Sequence, residues 1–296
     1  MKTHYDVVTF GEVLWDLFED GSDTYRRFVG GSSANVAVAL ARQGVHVAVV
    51  GAVGRDTFGD ELAARLASFG VDTSFLVRLP ERTAVTFIAR GEGGEPHFMN
   101  YRHGSADMAF SARHITSSMA NATWIHLGTS TLLTSGPAEA TRAFDAHAFR
   151  HRAFKSIDLN ARPHLWASAE AAFAALRHIA PGSALIKASL QDLASFGVGL
   201  EALREMAPGA VLVVTRGGGE ATAYGAHGEV SVSARAAECV DATGAGDSFI
   251  AGLLAWLVRQ GVTPDSPEWS DANLWTAALA HGHSLGALAV SKLGGS

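Results

Sequence analysis

Cysteine, lysine and long apolar runs are all scarce in this chain. The one cysteine, Cys239, has no partner for an internal disulfide, which excludes the small stapled folds of secreted proteins. Only four lysines occur, Lys2, Lys155, Lys187 and Lys292. None completes a GxxxxGK[ST] pattern, so a P-loop enzyme is excluded, and the missing VAIK, HRD and DFG set excludes a protein kinase. The longest clean apolar run, Phe249 to Val258, falls short of the roughly 18 residues that span a bilayer. The opening MKTHYDVVTF lacks the apolar core of a secretory signal, so the chain reads as cytosolic, with no membrane partner. With 23 basic residues against 29 acidic, a net charge of −6, there is no positive excess to neutralise a nucleic-acid backbone.

What is present fits a large packed core. Of the 296 residues, 48% are apolar and 18% charged, which excludes disorder and allows about one or two domains. No linker rich in Pro, Ser or charge divides the chain, so residues 1–296 are read as a single domain. Short β-branched runs at Asp6–Phe10, Val45–Val50, Thr123–Leu127, Phe154–Asp158, Ala184–Ile186 and Val211–Thr215 read as buried parallel strands. Helical patterns lie between them at Ser33–Gln43, Phe58–Phe69, Ser135–Arg150, Ala167–His178 and Leu200–Met206, giving an α/β sandwich with helices on both faces. Thr83–Arg90 and His97–Tyr101, joined by GEGGEP, alternate with period two and read as an antiparallel flap. Residues 13–29 lack helical period and supply further flap strands. Ala221–Val232 reads as a hairpin, followed by helices Gly246–Gln260 and Asp271–Ala289.

Two segments carry chemistry. In VDATGAGDSFIAGLL, Val240–Leu254, small residues Gly244, Ala245 and Gly246 let backbone N–H groups of a first helical turn approach an anion, which the helix dipole favours. Asp247 then projects beside that anion, ionised at neutral pH and able to take a proton from a hydroxyl attacking phosphorus. The alternative is a Gly-rich turn with an ordinary helix-start acid. In GGSSANVAVALARQG, Gly30–Gly44, Gly31 and Asn35 stand at another helix mouth and can face a ligand hydroxyl. A Ser32 or Ser33 cap on a buried helix is the plainer reading.

Together GGSSANVAVALARQG and VDATGAGDSFIAGLL resemble the two signatures of the PfkB, or ribokinase-like, carbohydrate kinase family, in order and spacing. The similarity extends through GEVLWDLF, VGRDTFGDEL, SIDLNARPHLW, VTRGGGEATAY and GALAVSKLGG. LNARPHLW and NYRHGSADMAF look most like bacterial fructokinases and 2-keto-3-deoxygluconate kinases. The resemblance implies a ribokinase-like three-layer αβα sandwich with a mostly parallel sheet and a small β-strand lid, from about 13–30 and 82–107. It also implies transfer of the γ-phosphoryl of ATP, with Mg²⁺, to a sugar hydroxyl, fructose first among candidates. By the same resemblance Asp247 matches the base, and Gly244, Ala245 and Gly246 the anion hole. Asp16, Gly31 and Asn35 match holders of sugar hydroxyls, and Arg102 and Arg162 match arginines on substrate or phosphate. Ser189 and Asp192 fall on the family's Asn/Glu pair, with Asp192 reaching Mg²⁺ through water. Thr215, Gly217 and Asn273 match nucleotide-binding positions, and Asp241 lies where a potassium ion accompanies the anion hole. Glu220 and Ala242 depart from the usual glycine and threonine. A homodimer through the lid is also implied by its exposed strand edges.

Readings from other classes fare worse. Gly282–Gly286, GHSLG, matches the nucleophile elbow of hydrolases around Ser284, but the pattern before it is helical and neither an acid nor a histidine follows. VAVVGAVGRDTFG lacks the GxGxxG dinucleotide fingerprint. His281 and His283, two apart on a helix, point to different faces. Cys239 has no histidine near it in sequence. A catalytically inactive sugar sensor remains as the non-enzyme alternative, with the discriminating feature, Asp247 in a complete GAG turn, present.

Overall fold

The computed structural model describes residues 3–21, 23–90, 96–234 and 237–295. In chain order it contains β1 (Tyr5–Phe10), β2 (Leu14–Glu19), β3 (Tyr25–Gly30), α1 (Ser32–Arg42), β4 (Val47–Gly54), α2 (Thr57–Ser68), β5 (Leu76–Leu79), β6 (Val85–Arg90), β7 (Pro96–Tyr101) and the single turn α3 (Ala106–Ala109). The second half contains β8 (Ala122–Gly128), α4 (Ser135–His151), β9 (Phe154–Asp158), α5 (Ala169–Ile179), β10 (Ser183–Ser189), α6 (Leu190–Phe196), α7 (Leu200–Met206), β11 (Val211–Thr215), β12 (Glu220–Gly225), β13 (Gly228–Ser233), α8 (Ala245–Gln260) and α9 (Ala272–Val290).

Nine strands form one sheet in the order β13-β12-β11-β10-β9-β8-β1-β4-β5. All neighbours from β11 to β5 are parallel, and β12 and β13 add an antiparallel hairpin at one edge. The runs read as parallel strands are buried on both faces because helices cover both, which is why they show almost no alternation. Val7, Val47, Trp124 and Val213 pack with α1, α2, α8 and α9 on one face. Val8, Ile125, Ile157 and Leu212 pack with α4, α5, α6 and α7 on the other. From β1 the chain builds outward first through β4 and β5, then on the opposite side through β8 to β11. The switch between β1 and β8 opens a crevice at the carboxyl ends of the strands, where open α/β sheets hold ligands.

The lid is a four-stranded sheet in the order β3-β2-β6-β7. It differs from the expected antiparallel flap in one respect: β2 and β6 pair in parallel, Trp15 opposite Val85 and Phe18 opposite Ile88, because the chain visits the body between them. The turn assigned to GEGGEP lies, at 91–95, outside the described residues. Three elements have no counterpart in the sequence pattern. The single turn α3 and the edge strand β5 are too short to show a period, and α6 hides behind β10 although Ser189 and Asp192 form a capping box at its start.

Candidate active site

Asp247 owes its position to the turn before α8. Gly244 caps that helix at φ 74°, and a Cβ there would lie 2.6 Å from the Cα of Gly295, so only glycine admits this backbone approach. Ala245 and Gly246 then open the helix, whose apolar Phe249–Leu254 stretch is buried and fixes its axis. The Asp247 carboxylate is buried and fully oriented: Oδ1 accepts the Ser32 hydroxyl at 2.6 Å and the Asn160 amide at 3.3 Å, and Oδ2 accepts the Asn35 amide at 2.9 Å. Burial raises its pKa, and the bonds from Ser32 and Asn35 with the charges of Arg162 and Lys187 only partly offset that. A carboxylate so raised is a stronger base that remains aimed by three donors.

The start of α1 is held as firmly. Gly31 sits at φ 91°, and a Cβ there would lie 2.3 Å from the Glu12 carbonyl oxygen. Ser33 donates to that carbonyl at 2.6 Å, and the Glu12 carboxylate accepts the Ser32 N–H and the Ser130 hydroxyl. Burial opposes ionisation of Glu12, but the charges of Arg102 and Arg162 outweigh it and hold this carboxyl below the usual range.

Above Asp247 lies a cavity of about 390 Å³. The lid contributes Asp16, Thr86, Phe98 and Asn100, and the body contributes Asn160, Arg162 and Lys187 along with Gly244, Gly246 and Asp247. Asp16 lies against the backbone of Gly30, where a Cβ would overlap its carboxylate. Burial pushes its pKa up to about 7, Arg162 opposing and Asp247, Glu12 and Asp241 reinforcing. The structure thus brings together Asp16, Gly31, Asn35, Arg162, Gly244, Gly246 and Asp247 around one space, with Ala245 in the same turn.

Other expected site residues are placed differently. Arg102 does not line the cavity; its Nε and Nη2 grip Asp107 at 2.8 and 2.7 Å, and both side chains are buried. In this structure it is a buried strut, off the cavity surface where a substrate contact was expected. Asp192 is the N3 acid of α6: Oδ1 accepts the Ala161 N–H and Oδ2 the Ser189 N–H, both at 2.7 Å. With Ser189 returning a bond to the Asp192 N–H, the pair is a helix cap off the cavity surface and does not present a bare carboxylate to magnesium. Among the described residues no group of three or more His, Cys, Asp or Glu is gathered for a metal. Asp241 accepts the N–H and hydroxyl of Thr243 on Oδ1 and the Gly294 N–H on Oδ2. Its oxygens knit the anion turn to the last residues, a donor set that does not fit a potassium ion at that carboxylate.

Asn273 is remote from the site. α9 runs back along α8, with Gly286 beside Ala245 and Gly282 against Gly252, so Asn273, thirteen positions before Gly286, stands roughly 20 Å along the helix from the anion turn. There it donates to its own cap, Asp271. Thr215 ends β11 and Gly217, at φ 59°, turns into β12; neither lines the cavity. Glu220 pairs with Arg216 across that turn at 2.6 Å. Ser284 lies inside α9 and donates to the Ala280 carbonyl, so GHSLG is no elbow.

Two residues were missed. Asn160, at φ 36°, reaches Asp247 from just beyond β9. Lys187 reaches the cavity from β10, its Nζ bonded to both oxygens of Asp158 at 3.1 and 2.9 Å.

A nine-stranded sheet with its switch point under a β lid, and a buried aspartate at a helix N-terminus inside the crevice, define a phosphotransferase of the ribokinase-like class. The model of the pfkB family carbohydrate kinases matches residues 5–296, and the chain belongs to that family. It is 30% identical to Fructokinase-1 of Oryza sativa subsp. japonica over 97% of this chain and 92% of that one. It is 31% identical to a fructokinase of Klebsiella pneumoniae, over 96% and 92%. The structure of a fructokinase from Xylella fastidiosa with bound ATP superposes at a TM-score of 0.87, 28% identical, covering 98% of this chain and 94% of that one. The protein is an ATP-dependent sugar kinase.

Proposed function

We propose that the chain is a fructokinase, moving the γ-phosphoryl group of Mg-ATP to a hydroxyl of fructose. The observation that carries the chemistry is the Asp247 carboxylate, raised in basicity and oriented by Ser32, Asn35 and Asn160 at the N-terminus of α8 on the cavity wall. Asp16 and Asn35 hold sugar hydroxyls, and Asp247 takes the proton of the attacking one. Its oxygen bonds to phosphorus as the bond to the nucleotide's bridging oxygen breaks. The N–H groups of the 244–246 turn meet the charge on the transferring group. Mg²⁺ enters as part of the nucleotide substrate, chelated by its phosphates. The choice of fructose is supported by the near full-length similarity to fructokinases from plants and bacteria. One observation favours a second reading: Arg162 and His164 line the cavity, and a guanidinium there suits the carboxylate of 2-keto-3-deoxygluconate.

The test is ADP release from Mg-ATP with fructose and with 2-keto-3-deoxygluconate, wild type beside Asp247→Asn. Fructose-dependent turnover that falls by about two orders of magnitude or more in the variant is expected. Full activity in Asp247→Asn overturns the mechanism, and turnover with the sugar acid alone overturns the substrate.

A further inference from the structure

We propose that Lys187 is a catalytic residue of this kinase: its ammonium group contacts the transferring phosphoryl group beside Gly246, with Asp158 as the residue that positions it. The proposal rests on the kinase reading above.

Lys187 projects from β10 directly opposite Asp158 on β9, and both side chains are buried, at 6% and 1% exposure. An ammonium group carries three N–H donors. Two go to the oxygens of Asp158, and no protein acceptor takes the third among the described residues. That donor is not sealed in the core, because Lys187 also lines the cavity, and a Cβ on Gly246 would stand 2.9 Å from Nζ. The group therefore lies against the backbone of the anion turn, one residue from Asp247. Burial works against its charge, but Asp158, Asp192 and Asp247 outweigh that and raise its pKa, so it is a permanent cation at working pH.

The distribution of charge singles it out. Asp247, Asp16, Asp158 and Glu12 are all buried around the crevice, an environment that by itself repels a polyanion. Two cations face the cavity from the body, Arg162 and Lys187. Arg162 acts electrostatically on Asp16 and Glu12 on the lid side and also on Asp247, whereas Lys187 acts on Asp158, Asp192 and Asp247 and is the side chain that lies against the backbone of Gly246. Position separates the two cations: Lys187, against Gly246, stands at the phosphoryl end. Asp158 limits the lysine's many rotamers to one, so the cation is already in place when charge develops, which is where such a group is most effective. In the transfer step Lys187 keeps its proton, the hydroxyl proton goes to Asp247, and the bond changes are those given above.

Removing Lys187 alone strands the Asp158 charge in the core, so the test removes both charges. The variant Lys187→Met/Asp158→Asn is compared with wild type for melting temperature, kcat and KM, ADP affinity, and trapping of ADP with aluminium fluoride in the presence of sugar. The expected result is a kcat lowered roughly 100- to 1,000-fold, the scale for losing one charge-stabilising donor. ADP affinity and sugar KM stay within about threefold, and the aluminium fluoride complex is lost. A merely structural lysine would move melting temperature and ADP affinity without selectively abolishing the trapped complex. Turnover within about fivefold of wild type, or trapping as tight as wild type, overturns the proposal. If the double variant does not fold, Lys187→Gln, which still donates to Asp158, is read by the same criteria. Should wild type show no Asp247-dependent turnover with any sugar, the kinase reading itself has failed, a result distinct from loss in the Lys187 variant alone.

Discussion

Replacing Asp107 by Asn tests whether Arg102 is a strut of the fold or a group that meets substrate. The guanidinium makes two contacts with one Asp107 oxygen, at 2.8 and 2.7 Å, and the side chains are 9% and 2% exposed. Removing one partner of a buried ion pair costs about 3–5 kcal/mol because the other charge is left without compensation. Glu12 also acts on Arg102 and would retain part of the balance, which places the loss near the lower end, about 3 kcal/mol. At roughly 2–3 °C per kcal/mol for a chain of this size, the melting temperature should fall by about 6–9 °C. Asn is nearly isosteric and can still receive the Ser105 hydroxyl that Asp107 accepts, so the change reports charge rather than shape. Thermal melts and urea midpoints of Asp107→Asn and of Arg102→Met/Asp107→Leu provide the measurement, the double variant recovering most of the loss. A shift below about 2 °C for Asp107→Asn, accompanied by a kcat/KM collapse in Arg102→Met, would refute the strut and return Arg102 to the substrate.

Gly31→Ala adds a Cβ 2.3 Å from the Glu12 carbonyl at φ 91°, whereas Gly44→Ala, at φ 76°, meets nothing within 4 Å. The first should cost at least about 3 kcal/mol in urea titrations and the second only about 1, since it carries strain without a clash. Asp16 supplies a pH signature. Its folded pKa of about 7 lies above the ordinary 3.8, so the folded state holds the extra proton between those values and stability falls as pH rises through that window, by up to about 1.4 kcal/mol per unit. Melting curves from pH 4 to 8 should show this slope flattened in Asp16→Asn. Because sugar hydroxyls donate to the ionised form, the sugar KM of wild type should rise as pH falls below 7, and a flat KM profile would count against Asp16 as the sugar's acceptor.

The parts of the site legible in the sequence are those whose chemistry is local. Gly244 to Asp247 must be small, then acidic, at a helix start, and that demand leaves a contiguous trace. The same holds for Gly31 to Asn35. Lys187 and Asp158 leave none, because each sits in a strand whose residues are mostly buried, Ser183–Ser189 and Phe154–Asp158, and they meet only through parallel register across 29 positions. The pairing of Arg102 is hidden for the opposite reason. Its partner lies five residues away, but the fit of the pair depends on the turn into α3, which the sequence pattern does not define. The capping role of Asp192 is legible from the Ser189 spacing alone.

In the proposed roles, the geometry keeps sugar grip and base in register. Asp16 is pressed on Gly30, the last residue of β3, and Asn35, which holds Asp247, follows five residues later in the first turns of α1. No loop intervenes between them: β3 passes through Gly31 straight into the helix. Strands β2 and β3 of the lid are in turn fastened to α2, where the Trp15 indole donates to the Phe58 carbonyl at 2.9 Å and Arg27 pairs with Glu61. The outer strand β7, at the opposite edge of the lid from β3, carries half-exposed Phe98 and exposed Tyr101. Movement of that outer strand would leave the Asp16-to-Asp247 geometry set by one short, buried segment. Positional precision in the transfer step then does not depend on how far the outer strand has closed.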